Sequence, residues 1–167
     1  THTRSSAASD VYKRQAARLL LFALRKSLFG KMRECPTVID HVKKCVEKGV
    51  YDAEILDLYS EEEYNKLQSF IDHSRDMIFT YAGLRQVVDK YLVQDRSTGE
   101  VYETPQFMYM MISATIFSKY PKETRLDYVR KYYEAISRHR INIPTPIMAG
   151  VRTPIRQFAS CVLVDID

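Results

Sequence analysis

The chain has 167 residues, of which 46% are hydrophobic, 28% charged and 11% aromatic, a composition typical of a folded domain and not of a disordered chain. The formal net charge of +4 is spread over nearly equal numbers of bases and acids, so it does not indicate a nucleic-acid groove, and no apolar run reaches the roughly 20 residues that a membrane span needs. Three cysteines without a signal peptide exclude a secreted disulfide scaffold and favour a reducing compartment, which predicts a cytoplasmic protein.

The two ends of the sequence differ from its middle. Residues 1–15 are small and polar without hydrophobic periodicity, so we interpret them as a non-native or disordered leader. Residues 161–167 form a strand-like run with nothing after it to pair or cap it. We therefore expect the chain to be a piece of a longer protein.

Hydrophobic spacing predicts helices in the first half of the chain. Residues 16–30 and 36–49 each carry apolar positions at helical spacing and end at a glycine. Ser60 and Glu63 form a capping box that predicts the start of a further helix, with an apolar stripe behind it. Packing into a helical core accounts for all of these features.

The pattern then changes before it returns to helix. Two β-branched or aromatic runs flank a turn that contains Gly99, which predicts a β-hairpin over residues 90–103. Residues 105–119 are apolar nearly all round and predict a buried helix, and Pro121 opens an amphipathic helix. The fold class is therefore mainly α with a small β-hairpin.

A proline-rich segment follows. Pro144, Pro146 and Pro154 lie close together, which predicts a rigid loop lining a site and not a helix. Ser160 and Cys161 stand at the start of an apolar, strand-like run. Chemistry alone favours a packing role for Cys161, with a reactive thiol as the alternative.

The same segment carries a resemblance. Residues 144–163, with the sequence PTPIMAGVRTPIRQFASCVL, closely resemble the first barrel segment of the large, catalytic subunit of class I ribonucleoside-diphosphate reductases. The similarity continues upstream through residues 123–129, 102–103, 98–100, 90–94 and 70–76, and it reaches back to residues 16–19. It implies the last helix of a truncated ATP cone at residues 16–30, a helical N-terminal domain over 31–140, and the start of a ten-stranded α/β barrel at 141–167.

The resemblance also implies a function. The family reduces ribonucleoside diphosphates to deoxyribonucleoside diphosphates for DNA synthesis, using a thiyl radical generated with a separate small, metal-containing radical subunit. Cys161 matches one of two cysteines that become a disulfide as they supply the reducing electrons. Thr145 and Ser160 match substrate-binding positions, and Lys26 matches a residue that serves the allosteric nucleotide.

Partners and effectors follow from the same resemblance. It implies thioredoxin or glutaredoxin as the electron donor, a homodimer of large subunits, and ATP or deoxynucleotides as allosteric effectors. The chain itself is expected to bind no cofactor or metal, no nucleic acid and no membrane.

Several parts of the family's machinery have no counterpart in the sequence. The radical-bearing cysteine and the partner of Cys161 are absent, and Cys35 and Cys45 match no redox position, so we interpret both as packing residues. We expect the full-length protein to be an enzyme and this chain alone to be inactive. Two alternatives stay open: a non-catalytic helical module that binds nucleotides or subunits, and a piece of a cobalamin-dependent reductase.

Overall fold

A computed structural model of the chain describes residues 2–155 and 157–159. The helices are α1 (His2–Phe29), α2 (Val38–Glu47), α3 (Ile55–Leu58), α4 (Glu61–Phe70), a 3₁₀ helix (His73–Ile78), α5 (Tyr81–Lys90), α6 (Pro105–Phe117), α7 (Lys122–Ser137) and α8 (Thr145–Gly150). Within the described residues there is no β-strand, which confirms the mainly α fold class. None of the described helices is long and apolar enough to cross a membrane.

Helix α6 lies at the centre of the core. All ten residues from Pro105 to Ala114 are buried, and the helix packs against α7, the 3₁₀ helix and α8. A helix that is apolar on every face is stable only when neighbours surround it, so the prediction of a buried helix here is confirmed. Helix α1 packs against α5 and the 3₁₀ helix, while α4 packs against α2 and α7.

Local signals set several helix ends as the sequence predicts. The Ser60 hydroxyl accepts a hydrogen bond from the Glu63 amide, and the Glu63 carboxylate accepts one from the Ser60 amide, so the capping box is confirmed. Thr37 caps α2 in the same way, through the amide of Asp40. Gly49 follows that helix with φ 69°, a left-handed conformation that glycine adopts without strain.

Residues 2–15, interpreted from the sequence as part of a non-native or disordered leader, belong to α1, which begins at His2. That the leader is non-native stays a prediction. Residues 9–15 are exposed, as expected for a segment that has no apolar stripe. A helix needs only its own backbone hydrogen bonds to extend once a packed portion has nucleated it. The buried residues Ala17, Leu21 and Leu24 supply that packed portion.

The proline-rich segment also differs from the expectation of a loop without helix. Pro144 is the N-cap of α8 and Pro146 lies in its first turn. The amides of a first turn have no partner within the helix, so prolines there remove no hydrogen bond and their fixed φ suits helix entry. The same residues that argue against a helix interior therefore begin this one.

The predicted β-hairpin is present only as one isolated antiparallel bridge between Gln94 and Val101. The turn between them is closed by Asp95, whose carboxylate accepts hydrogen bonds from the amide and hydroxyl of Ser97. Helix α5 has no counterpart among the elements predicted from the sequence, and its last residue, Lys90, is the first residue of the predicted hairpin. Leu84 and Val88 are buried and give α5 its packed face.

Candidate functional site

The candidate site lies where the segment 141–155 packs onto the end of α5 and the residues before α6. Arg152 follows α8 and is fully buried. It is the only charged residue between Ile141 and Ile155 in the sequence. A buried arginine requires a buried acid and hydrogen-bond acceptors, because an unpaired charge in the interior is very unfavourable.

Glu103, which is also fully buried, supplies that acid. Its carboxylate accepts hydrogen bonds from Arg152 Nε at 2.9 and 3.1 Å and a further one from Nη2. The remaining guanidinium donors reach two backbone carbonyls, Met148 O at 2.5 Å and Tyr91 O at 2.9 Å. One side chain therefore joins α8, the residues before α6 and the end of α5.

The carboxylate of Glu103 has two further donors. The amide of Val93 donates to Oε1 at 2.8 Å, and the hydroxyl of Tyr51 donates to Oε2. Burial raises the pKa of Tyr51 well above its usual value, and the neighbouring charge of Glu103 raises it further. The phenol therefore stays protonated and acts as a permanent donor.

His41 completes this buried cluster. Its Nε2 lies 3.3 Å from the Tyr51 hydroxyl, and because the only proton of that hydroxyl goes to Glu103, Nε2 is the donor. Burial lowers the pKa of His41 to about 3, and its ring stacks on Phe107 of α6 with centroids 3.9 Å apart. The imidazole is therefore neutral, and its orientation is set by the core helix.

The predicted site residue Thr145 is the first residue of α8. Its side chain is exposed, and Oγ1 lies 3.5 Å from the hydroxyl of Tyr91. Tyr91 also lines an open cavity of about 310 Å³, whose lining includes Lys90, Arg96 and Thr153 but not Thr145 itself. Hydroxyls beside cationic side chains are groups that bind phosphate oxygens.

Ser160 and Cys161 lie outside the described residues. Lys26 is exposed in the last turn of α1 and does not line the cavity that Tyr91 lines.

Two cysteines fit their predicted packing role. Cys45 is buried, with its sulfur 3.6 Å from His41 Nε2 and 3.7 Å from the carbonyl oxygen of Tyr102. Cys35 is half-buried and packs against the core. Burial raises the pKa of both thiols, so neither has the thiolate character of a redox cysteine.

Sequence reasoning missed the pair Arg152 and Glu103, although a signal was present. Glu103 is the only acidic residue between Val101 and Lys122, just as Arg152 is alone in its own segment. Isolated charges of opposite sign within two apolar stretches are candidates for a buried pair. What the sequence did not show is that these two residues, 49 positions apart, meet.

Comparison with known proteins identifies relatives. Residues 77–156 match the family described as "Ribonucleotide reductase, all-alpha domain". The chain is 55% identical over 159 residues, 95% of its length, to a ribonucleoside-diphosphate reductase subunit alpha of Haemophilus influenzae. It is 54% identical over 154 residues, 92% of its length, to ribonucleoside-diphosphate reductase 1 subunit alpha of Escherichia coli and equally to that of Salmonella typhimurium.

These matches cover the chain almost completely but the relatives only in part. The chain spans 20% to 21% of the length of these relatives. The residues that match this family, 77–156, include helices α5, α6, α7 and α8. They also include Glu103, Thr145 and Arg152.

Proposed function

We propose that this chain, which belongs to the ribonucleotide reductase large-subunit family, forms part of an enzyme that reduces ribonucleoside diphosphates to deoxyribonucleoside diphosphates for DNA synthesis. The observation that carries the proposal is the identity of 54% over 92% of the chain to an alpha subunit. The helical core around α6 then has the role of a support for the segment 141–167, which begins the catalytic barrel.

In the proposed reaction, Cys161 is one of two thiols that supply the electrons. The C2′–OH bond breaks and the hydroxyl leaves as water, a hydrogen takes its place on C2′, and the two thiols supply the two protons and two electrons for this exchange as a disulfide forms between their sulfurs. A thioredoxin or glutaredoxin dithiol then reopens that disulfide by exchange. The second cysteine, the thiyl-bearing cysteine and the radical-generating metal subunit lie outside this chain.

Substrate contact is proposed for Thr145 and Ser160. The exposed hydroxyl of Thr145 beside the Tyr91 hydroxyl supports this role, because a hydroxyl both donates to and accepts from diphosphate or ribose oxygens. Lys90 and Arg96 line the cavity that Tyr91 also lines, and they add positive charge there. These cations complement the negative charge of a nucleoside diphosphate.

Regulation and assembly are proposed on the resemblance alone. Residues 16–30 form the last helix of an ATP cone, in which the ammonium of Lys26 serves a phosphate of ATP or dATP. The large subunits form a homodimer that works with the small subunit in the cytoplasm. The exposed position of Lys26 in the last turn of α1 is compatible with phosphate contact.

A chimaera tests the proposal. In the Escherichia coli alpha subunit, the matched segment is replaced by this chain, and the protein is assayed with its small subunit, a dithiol and cytidine diphosphate. We expect deoxycytidine diphosphate to form, and Cys161→Ser to reduce its formation to background. Cys35→Ser is the matched control, because Cys35 has a packing role and its substitution leaves turnover in place.

Two outcomes contradict the proposal. One is a chimaera that unfolds cooperatively, and is therefore folded, but makes no deoxynucleotide. The other is a Cys161→Ser chimaera that retains turnover. A folded but inactive chimaera that still binds the small subunit would favour the non-catalytic binding module instead.

A further inference from the structure

Helix α8 has little stability of its own. It has only six residues, Pro144 at its N-cap makes no side-chain capping bond, and Gly150 is its only buried residue. A single helical turn is unstable in water without outside support. The position of Thr145 is therefore imposed by whatever holds α8 to the core.

Ile147 and Met148 pack against the core, and Arg152 adds a polar hold on both α8 and the end of α5. Its guanidinium binds the carbonyl of Met148 within α8 and the carbonyl of Tyr91 at the end of α5. Tyr91 in turn places its hydroxyl 3.5 Å from Thr145 Oγ1. The backbone of Arg152 adds another tie, because its carbonyl accepts the amide of Asp52 at 3.1 Å.

Glu103 connects this hold to the core. It stands two residues before Pro105, the first residue of the buried helix α6, and its carboxylate is bound by Tyr51 and Val93 as well as by Arg152. A carboxylate with this many donors cannot rotate without losing a hydrogen bond. The planar guanidinium fork transfers that fixed orientation to α8.

We propose that Arg152 and Glu103 are positioning residues, whose ion pair sets Thr145 for contact with the substrate. The proposal rests on the proposed function for the role of Thr145. A buried ion pair contributes little net stability compared with apolar residues of similar size. The contribution of this pair is therefore to fix the position of α8 relative to the core.

The test uses Arg152→Lys in the chimaera described above. Lysine keeps the positive charge but lacks the planar fork, so it cannot bind Glu103, Met148 and Tyr91 together. We expect kcat/KM for cytidine diphosphate to fall about 10- to 100-fold, because small displacements of substrate-positioning groups have effects of this size. We also expect faster amide hydrogen exchange in residues 145–153.

The matched control is Arg25→Lys. Arg25 also forms a buried ion pair, with Asp76, but on α1 and the 3₁₀ helix and not at α8. This variant is expected to lower the melting temperature while leaving kcat/KM and the exchange of residues 145–153 unchanged. A fall of kcat/KM in both variants in proportion to their loss of stability would overturn the positioning role.

The two proposals fail in different ways. If the unsubstituted chimaera makes no deoxynucleotide, the proposed function fails, and hydrogen exchange in Arg152→Lys still decides whether the pair holds α8. If exchange or kcat/KM is unchanged in Arg152→Lys, the positioning role is wrong. Should that variant not fold, Tyr51→Phe, which removes one donor to Glu103, gives a milder version of the same comparison.

Discussion

Glu63 and Arg125 form a two-pronged ion pair that joins the start of α4 to α7. Arg125 Nε and Nη2 lie 2.7 and 2.5 Å from the two oxygens of Glu63, whose carboxylate also accepts the Ser60 amide of the capping box. The guanidinium lies 4.4 Å from the centre of the Tyr59 ring, over its face. A local capping residue is therefore also a tertiary contact.

This double role predicts an order of stability losses. Ser60→Ala removes only the cap and should lower the free energy of unfolding by about 1 kcal/mol. Glu63→Ala removes a capping bond and also leaves Arg125 without its partner, so we expect a loss of about 3 kcal/mol. Urea unfolding monitored by circular dichroism measures both, with exposed Glu62→Ala as control. Equal losses for Ser60→Ala and Glu63→Ala would contradict the double role.

The buried ion pair of Arg25 and Asp76 predicts that the effects of the two residues on the free energy of unfolding are coupled. Arg25 Nη2 lies 3.2 Å from Asp76 Oδ2, and Gln106 donates to Oδ1 at 3.0 Å. Arg25→Met leaves the carboxyl group buried without a positive partner, and we expect a loss of about 3 to 5 kcal/mol. The double variant Arg25→Met, Asp76→Leu should lose less than Arg25→Met alone. A double variant as unstable as the sum of both single variants would show that the residues are not coupled.

His41 predicts an acid-dependent loss of stability. Its pKa is lowered to about 3 in the folded protein, mainly by burial, with the charges of His73, Lys44 and Arg152 adding to the effect. Since the unfolded imidazole binds its proton near pH 6.5, the unfolded state takes up more protons as the pH falls from about 6.5 towards 3. Stability from this residue is full above pH 6.5 and falls by up to about 1.4 kcal/mol per pH unit below it.

The measurement compares wild type with His41→Gln by urea unfolding at several pH values between 7 and 4. Loss of ring stacking on Phe107 lowers stability at every pH, so the informative quantity is the slope against pH. The variant should have a shallower slope than the wild type. Parallel curves for the two proteins would rule out His41 as a source of the pH dependence.

The cysteines predict an order of thiol reactivity. Cys35 is half-buried, whereas Cys45 has only 1% of its surface exposed. The labelling experiment uses the Cys161→Ser variant, so that these two thiols are compared without the third. We expect a maleimide to modify Cys35 slowly in the native protein and Cys45 only after unfolding. Mass spectrometry of the digested protein distinguishes the two sites. Native labelling of Cys45 ahead of Cys35 would contradict the observed burial.

Some features could be predicted from the sequence because they depend on neighbouring residues. The capping box of Ser60 and Glu63 and the all-round apolar pattern of α6 each require only short-range information. The expectation of a loop without helix at the proline-rich segment is wrong, because a proline disrupts the interior of a helix but not its first turn. Prolines at residues 144 and 146 begin α8, since a helix's first turn does not need their missing amide hydrogens.

The sequence by itself determined the mainly α class, the buried central helix and, through resemblance, the reductase family whose members the chain matches. Only the tertiary structure decided that Arg152 and Glu103, 49 positions apart, meet in the core and hold α8 beside Tyr91. The physical reason is that helix periodicity and caps depend on hydrogen bonds within a few residues. The partner of a buried charge depends instead on which distant segments pack together when apolar surface leaves water.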